Sequence, residues 1–178
     1  EISKYWQLMQ EKIIVRNPNE FFFLKTHNAQ LEFNSKSFTN FNLTKAFIYI
    51  VRDPRSVLIS LKAHYGYKDY EESLRVIKSD KHITYATQDG RLPEFLLSWK
   101  KNFISWHNFS KNNSNLGLII KYEDLVNKPE VTFLNILKFL LEKLGSNIDM
   151  KKFENSIKST NFSNLRKLEN SFGFTEKS

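Results

Sequence analysis

The sequence predicts an α/β fold, a three-layer arrangement of a parallel sheet flanked by helices. Three observations predict it. Apolar runs at 21–24, 46–51 and 116–120 are too short for helices and rich in Phe, Ile, Val and Leu. Stretches with apolar side chains at helical spacing separate them, the signature of strand–helix–strand crossovers. Each run also ends in hydrogen-bonding side chains: Lys25 and His27, then Arg52, then Tyr122. Open parallel sheets bind ligands beyond the carboxyl ends of their strands, so the three ends mark one candidate site.

Each element has a local reason. Ile2, Tyr5, Trp6, Met9 and Ile13 share a helical face over 2–14, and Asn17-Pro18 ends that helix. Phe21, Phe22, Phe23 and Leu24 read as a buried parallel strand. Residues 29–45, rich in Asn, Ser and Thr, read as a loop with a short hairpin. Residues 46–51 predict a second buried strand that stops at Arg52. Asp53 is a good N-cap and Pro54 suits the first helical position, so a helix is expected from 54 to 65. The charged stretch 66–91, with Gly66, Tyr67, Tyr70 and Gly90, predicts a helical excursion or lid. Pro93 is expected to open an amphipathic helix through Phe109, with Phe95, Leu96, Trp99, Phe103 and Trp106 on its apolar face. The Asn/Ser segment 112–115 breaks it before the strand at 116–120. Pro129 opens a further helix to Lys143, stopped by Gly145. A helix over 149–159 is followed by Thr160, Asn161, Phe162 and a short final turn.

Composition narrows the function. The 178 residues read as a single domain, 1–178, long enough to bury a core. A net charge of +8 favours anionic ligands. Nucleic acid would need a basic stripe with exposed aromatics, but these aromatics fall on apolar helix faces, so no nucleic-acid partner is expected. The absence of cysteine from these residues excludes disulfides and thiolate metal sites among them. His64, His82 and His107 lack metal-like spacing, so no metal is expected. No apolar run is long enough for a membrane span and no secretory pattern leads the sequence, so the expected setting is cytoplasmic.

The chemistry concentrates around Arg52. A strand ending in a guanidinium against a helix N-terminus gathers backbone N–H groups, the helix dipole and a cation at one place. Ser60, about two turns into the helix, adds a hydroxyl. That set suits a phosphate. Singly, each residue has a plainer role. A lone strand-end histidine such as His27 is more often structural, and Arg52 could serve Asp53 in a salt bridge. A helical serine such as Ser60 often returns a bond to the backbone. Thr160 reads as a helix cap, and Tyr122 and Phe162 as core aromatics.

Taken in order, the residues carry a family resemblance. Tyr49-Ile-Val-Arg52-Asp53-Pro54-Arg55 with Ser60 resembles the 3′-phosphate-binding motif of sulfotransferases that use 3′-phosphoadenosine-5′-phosphosulfate (PAPS). Phe23-Leu24-Lys25-Thr26-His27 is similar to their catalytic strand end, and Lys121-Tyr122-Glu123-Asp124-Leu125 to their Tyr-Glu-Asp-Leu segment. Thr160-Asn161-Phe162 matches their Thr-x-Phe feature. The resemblance covers roughly residues 20–165 and implies a P-loop NTPase-like sulfotransferase fold. It implies that Arg52 and Ser60 bind the 3′-phosphate and that His27 is the general base for an acceptor hydroxyl or amine. It further implies that Lys25 stabilises charge as the sulfuryl group transfers, and that Tyr122, Thr160 and Phe162 hold the adenine or its neighbours. PAPS is the implied co-substrate, without a metal, and the acceptor is a small molecule or carbohydrate.

The family's Gly/Ser/Thr-rich phosphosulfate loop has no counterpart in this sequence. The expectation is therefore an N-terminally truncated domain, first strand and phosphate loop missing, inactive alone and active in full-length form. An uncovered sheet edge would leave room for an oligomer. The alternative is a non-catalytic module that binds adenosine 3′,5′-bisphosphate or a protein partner.

Overall fold

The computed structural model describes residues 2–18, 20–84, 92–113 and 116–173 and has two compact units, Glu1–Ile119 and Ile120–Ser178. The first unit opens with α1 (Ser3–Arg16), whose Trp6 is buried. A hairpin of β1 (Glu32–Phe33) and β2 (Lys36–Ser37) packs against it. Asn34 and Ser35 carry φ of 52° and 57°, the doubly left-handed turn that suits a two-residue antiparallel hairpin. Gln7 and Gln10 on α1 donate to the carbonyls of Ser37 and Phe38 at 2.9 and 2.8 Å, which fixes helix against hairpin.

The strand–helix unit around Arg52 forms as expected. β3 (Phe47–Val51) leads into α2 (Pro54–Tyr65), and Gly66, at φ 65°, ends the helix in the left-handed conformation. α3 (Tyr70–Lys78) supplies the predicted helical excursion and packs on α2; residues 85–91 lie outside the described residues. After α4 (Trp99–Asn112) comes β4 (Gly117–Lys121), the neighbour of β3 in the sheet. The Phe47 N–H donates to the Leu116 carbonyl at 2.9 Å, so the amino ends of the two strands lie together, as in a parallel pair. Gly117 is required there: a β-carbon at this position would stand 2.2 Å from the Phe47 ring.

Aromatic rings form the core of this unit. Trp106 meets Phe47 at 4.8 Å and Phe109 at 6.0 Å, and Trp6 meets Phe38 at 5.6 Å and Phe95 at 5.3 Å. Such pairs each add about 0.5–1.5 kcal/mol beyond the area they bury. The one polar atom of the buried Trp106 is satisfied, its Nε1 donating to the Asn28 carbonyl at 2.9 Å.

Three expectations are corrected. Residues 21–24 form no strand, and their side chains are 46–73% exposed. A strand must pair its N–H and C=O groups, and among the described residues none pairs with this run. β3 is likewise half-buried rather than buried, with Ile50 54% exposed. The helix expected from Pro93 begins only at Trp99. Upstream of it Phe95 behaves as strand: its N–H donates to Asn28 Oδ1, its carbonyl accepts from Ala29, and Ile83 bridges it antiparallel. Tertiary pairing thus overrides local periodicity until Ser98 caps α4 by accepting from the Lys101 N–H.

In the second unit, α5 (Tyr122–Asn127) and α6 (Pro129–Leu144) pack together, and Thr132 ties them by donating to the Asp124 carbonyl at 3.0 Å. Gly145, at φ 64°, ends α6, as its sequence position predicts. α7 (Met150–Ser159) packs on α6. The short final turn is instead an eleven-residue helix, α8 (Phe162–Phe172), because Asn161 caps it by accepting from the Asn164 N–H. No helix among the described residues is long and apolar enough to cross a membrane.

Candidate active site

The start of α2 sets the electrostatics beside Arg52. Asp53 Oδ1 accepts from the Arg55 N–H at 2.8 Å, and the Arg55 guanidinium folds back onto the same carboxylate. Those hydrogen bonds hold the Asp53 carboxyl down at about 2. One of the helix N–H groups expected to meet an anion is therefore already taken by Asp53. The Arg52 carbonyl accepts from Trp99 Nε1 at 3.2 Å, which ties the end of β3 to the first turn of α4.

A cavity of about 300 Å³ opens beside these residues. His27, Arg52 and Ser60 all line it, although they come from an irregular segment, a strand end and a helix. His64, Thr84 and Glu94 complete its polar wall, while Val57, Leu61, Tyr65 and Leu96 supply apolar surface. Three of the residues read from sequence thus converge. Lys25, exposed two residues before His27, does not line the cavity.

His27 is held by side chains rather than by a sheet ladder. Its N–H donates to Glu94 Oε1 at 3.1 Å, and its carbonyl accepts from Asn102 Nδ2 at 3.2 Å. The next residue, buried Asn28, accepts the Phe95 N–H on Oδ1 at 2.8 Å. Asn102 also donates to the Leu96 carbonyl at 2.9 Å and accepts the Tyr49 hydroxyl at 2.9 Å. Burial pushes the Tyr49 phenol up to about 12, so it stays a neutral O–H donor across the physiological range.

Glu94, Asn102 and Trp99 are the site-forming residues that the sequence reading did not single out for this role. For Asn102 a signal exists: it sits three residues after Trp99 and four before Trp106, a polar side chain on an apolar helical stripe. Glu94 gives no such signal, because its role depends on a pairing between distant segments.

Tyr122, Thr160 and Phe162 belong to the second unit. Tyr122 begins α5 and is 39% exposed; Phe162 begins α8 and is 80% exposed, so neither is a core aromatic. Thr160 closes α7, its hydroxyl donating to the Ser156 carbonyl at 2.6 Å, and the cap of α8 is Asn161 instead. A second hollow in this unit, of about 320 Å³, is lined by Ser159, Asn164, Lys167, Leu168 and Ser171. It is as large as the first, but its lining offers no base and one cation.

Fold and cavity together define an α/β protein in which an imidazole, a guanidinium and a hydroxyl line one cavity beside the carboxyl end of β3. The sulfotransferase-domain family model matches residues 3–176, and the chain belongs to the sulfotransferase family. Among solved structures, the crystal structure of mouse sulfotransferase SULT7A1 complexed with PAP is similar, with a TM-score of 0.52 and 21% sequence identity. The match covers 70% of this chain and 41% of the mouse protein, and at that identity it shows the α/β sulfotransferase fold alone. No curated protein matches the sequence.

Proposed function

We propose that this chain carries the base and the 3′-phosphate-binding elements of a PAPS-dependent sulfotransferase. The observation that supports this most is the convergence on one cavity of His27, Arg52 and Ser60, the residues to which the sequence resemblance gives these roles. The residues fit such a co-substrate: a guanidinium and a hydroxyl at a helix start suit a phosphate, and an imidazole suits a proton acceptor. At about 300 Å³ the cavity lies at the lower end of ligand pockets, so it accommodates part of a nucleotide–acceptor pair rather than the whole of both.

When bound, PAPS supplies the sulfuryl group. Arg52 and Ser60 orient the donor through its 3′-phosphate, and the His27 imidazole takes the acceptor's hydroxyl or amine proton as the new bond to sulfur forms. Lys25 stabilises charge on the leaving oxygen. Such a displacement gains mainly from positioning and from charge stabilisation in a preorganised site. Tyr122, Thr160 and Phe162 enter the proposal as adenine-holding residues on the resemblance alone. A small-molecule or carbohydrate acceptor and a cytoplasmic setting belong to the same proposal.

A second reading is a nucleotide-binding module without turnover, favoured by the position of Lys25 outside the cavity lining. One experiment separates the two. In the natural polypeptide that contains this chain, His27→Ala should abolish sulfuryl transfer from PAPS and leave adenosine 3′,5′-bisphosphate affinity within twofold. Binding without any wild-type turnover would favour the module. Loss of both binding and turnover in the variant would make His27 a structural residue.

A further inference from the structure

Among the described residues no sheet ladder holds the His27 end of the site, yet it lines the same cavity as Arg52, which follows β3. Something else must fix the distance between them, and one side chain spans the gap. Asn102, in the first turn of α4, contacts three separate pieces of chain: Tyr49 of β3, the His27 carbonyl, and the Leu96 carbonyl.

The chemistry of those partners sets the amide's orientation. Two carbonyl oxygens can only accept, so both must face the Nδ2 group, whose two protons serve one each. The Oδ1 is then left toward Tyr49, whose phenol must donate. Tyr49 can do so because it remains protonated. Both Nδ2 protons and the Oδ1 are engaged, and no other side chain of that size offers two donors and an acceptor in one plane.

We infer that Asn102 is a positioning residue for the proposed base: it holds His27 in register with the phosphate-binding strand through Tyr49, without touching substrate. This rests on the sulfotransferase reading for its purpose, but the coupling itself is a property of the chain. Glu94 acts from the other side, accepting the His27 N–H, so His27 is gripped at both backbone groups. Trp99, on the same turn of α4, fixes the Arg52 carbonyl, so one helical turn sets both cavity walls.

The test is an NMR comparison of wild type, Asn102→Ala and Tyr49→Phe, with calorimetric titration of adenosine 3′,5′-bisphosphate on each. In Asn102→Ala, amide exchange at His27 should quicken at least tenfold and its ring signals should move, while the His107 ring signals stay in place. Tyr49→Phe, which keeps both carbonyl contacts, should produce the same changes at smaller amplitude and remains readable if the alanine variant does not fold. Unchanged His27 signals and exchange in a folded Asn102→Ala protein overturn the inference. So does a Tyr49→Phe protein indistinguishable from wild type at His27. Failure of wild type to bind the bisphosphate overturns the sulfotransferase reading instead and leaves the His27–Asn102 coupling to be judged by exchange alone.

Discussion

Trp99 Nε1 donates to the Arg52 carbonyl at 3.2 Å, joining the residue that follows β3 to the start of α4. The indole is also stacked on Phe103, with centroids 5.9 Å apart and planes within 13°. Trp99 therefore has a packing role and a polar role, and one substitution separates them. Trp99→Phe keeps a ring on Phe103 and deletes the donor. The expected cost is about 1 kcal/mol of stability, the net worth of one such hydrogen bond. With the Arg52 backbone less constrained, bisphosphate affinity should fall about fivefold, ~1 kcal/mol by the affinity scale. Thermal unfolding and calorimetry of the variant check both numbers. A stability loss with unaltered affinity would mean that the indole supports the fold but not the phosphate site.

Gly117 offers a sharper test of the sheet. A β-carbon there would meet the Phe47 ring at 2.2 Å, and that ring is confined by Trp106 at 4.8 Å and Phe109 at 5.9 Å. The ring has little room to retreat, so Gly117→Ala should destabilise by about 1–3 kcal/mol, the usual range for overpacking a filled site. The denaturant midpoint measures it. A neutral result would show that β3 and β4 are not packed at this spacing.

The Asp53 cap predicts an acid limb. Its carboxyl is held at about 2 in the folded chain, against an ordinary value of 3.8. A depressed acid contributes stability that is whole above its unfolded value and fades as pH falls through the folded one. The window therefore runs from about pH 4 down to about pH 2. Asp53→Asn keeps the cap geometry without the charge, so the difference between wild type and variant should shrink across that window. Denaturant midpoints at pH 5, 3 and 2 read it; a constant difference would separate the cap from the ion pair.

How much of this was legible in the sequence depends on whether the information was local. Asp53, Pro54 and Gly66 each carry a conformational preference that acts within a residue or two, and α2 begins and ends where they indicate. Pro129 and Gly145 do the same for α6. Pro93 carries the same kind of signal and yet opens no helix. The groups that Phe95 would contribute to a helix are spent on Asn28 and Ala29, some 66 positions away, and no window of sequence records that. The run at 21–24 has the composition of a buried strand, but composition cannot supply a ladder partner. At the site, the chemical end groups His27, Arg52 and Ser60 were readable because their order and spacing match a family. Their supports, Glu94 and Asn102, were not. They are ordinary polar residues whose roles arise only when distant backbone carbonyls and N–H groups come within 3.2 Å. Asn102 left a trace as a polar residue on an apolar stripe; Glu94 left none.

Arg52, beside Ser60 and His27, is the proposed binding point of a nucleotide 3′-phosphate. Calorimetric titration of adenosine 3′,5′-bisphosphate into wild type and Arg52→Ala tests it most directly. Wild type should bind saturably, with affinity weakened at least tenfold in Arg52→Ala, and adenosine 5′-monophosphate should bind far more weakly and with little dependence on Arg52. Bisphosphate binding of equal strength in both proteins would contradict it.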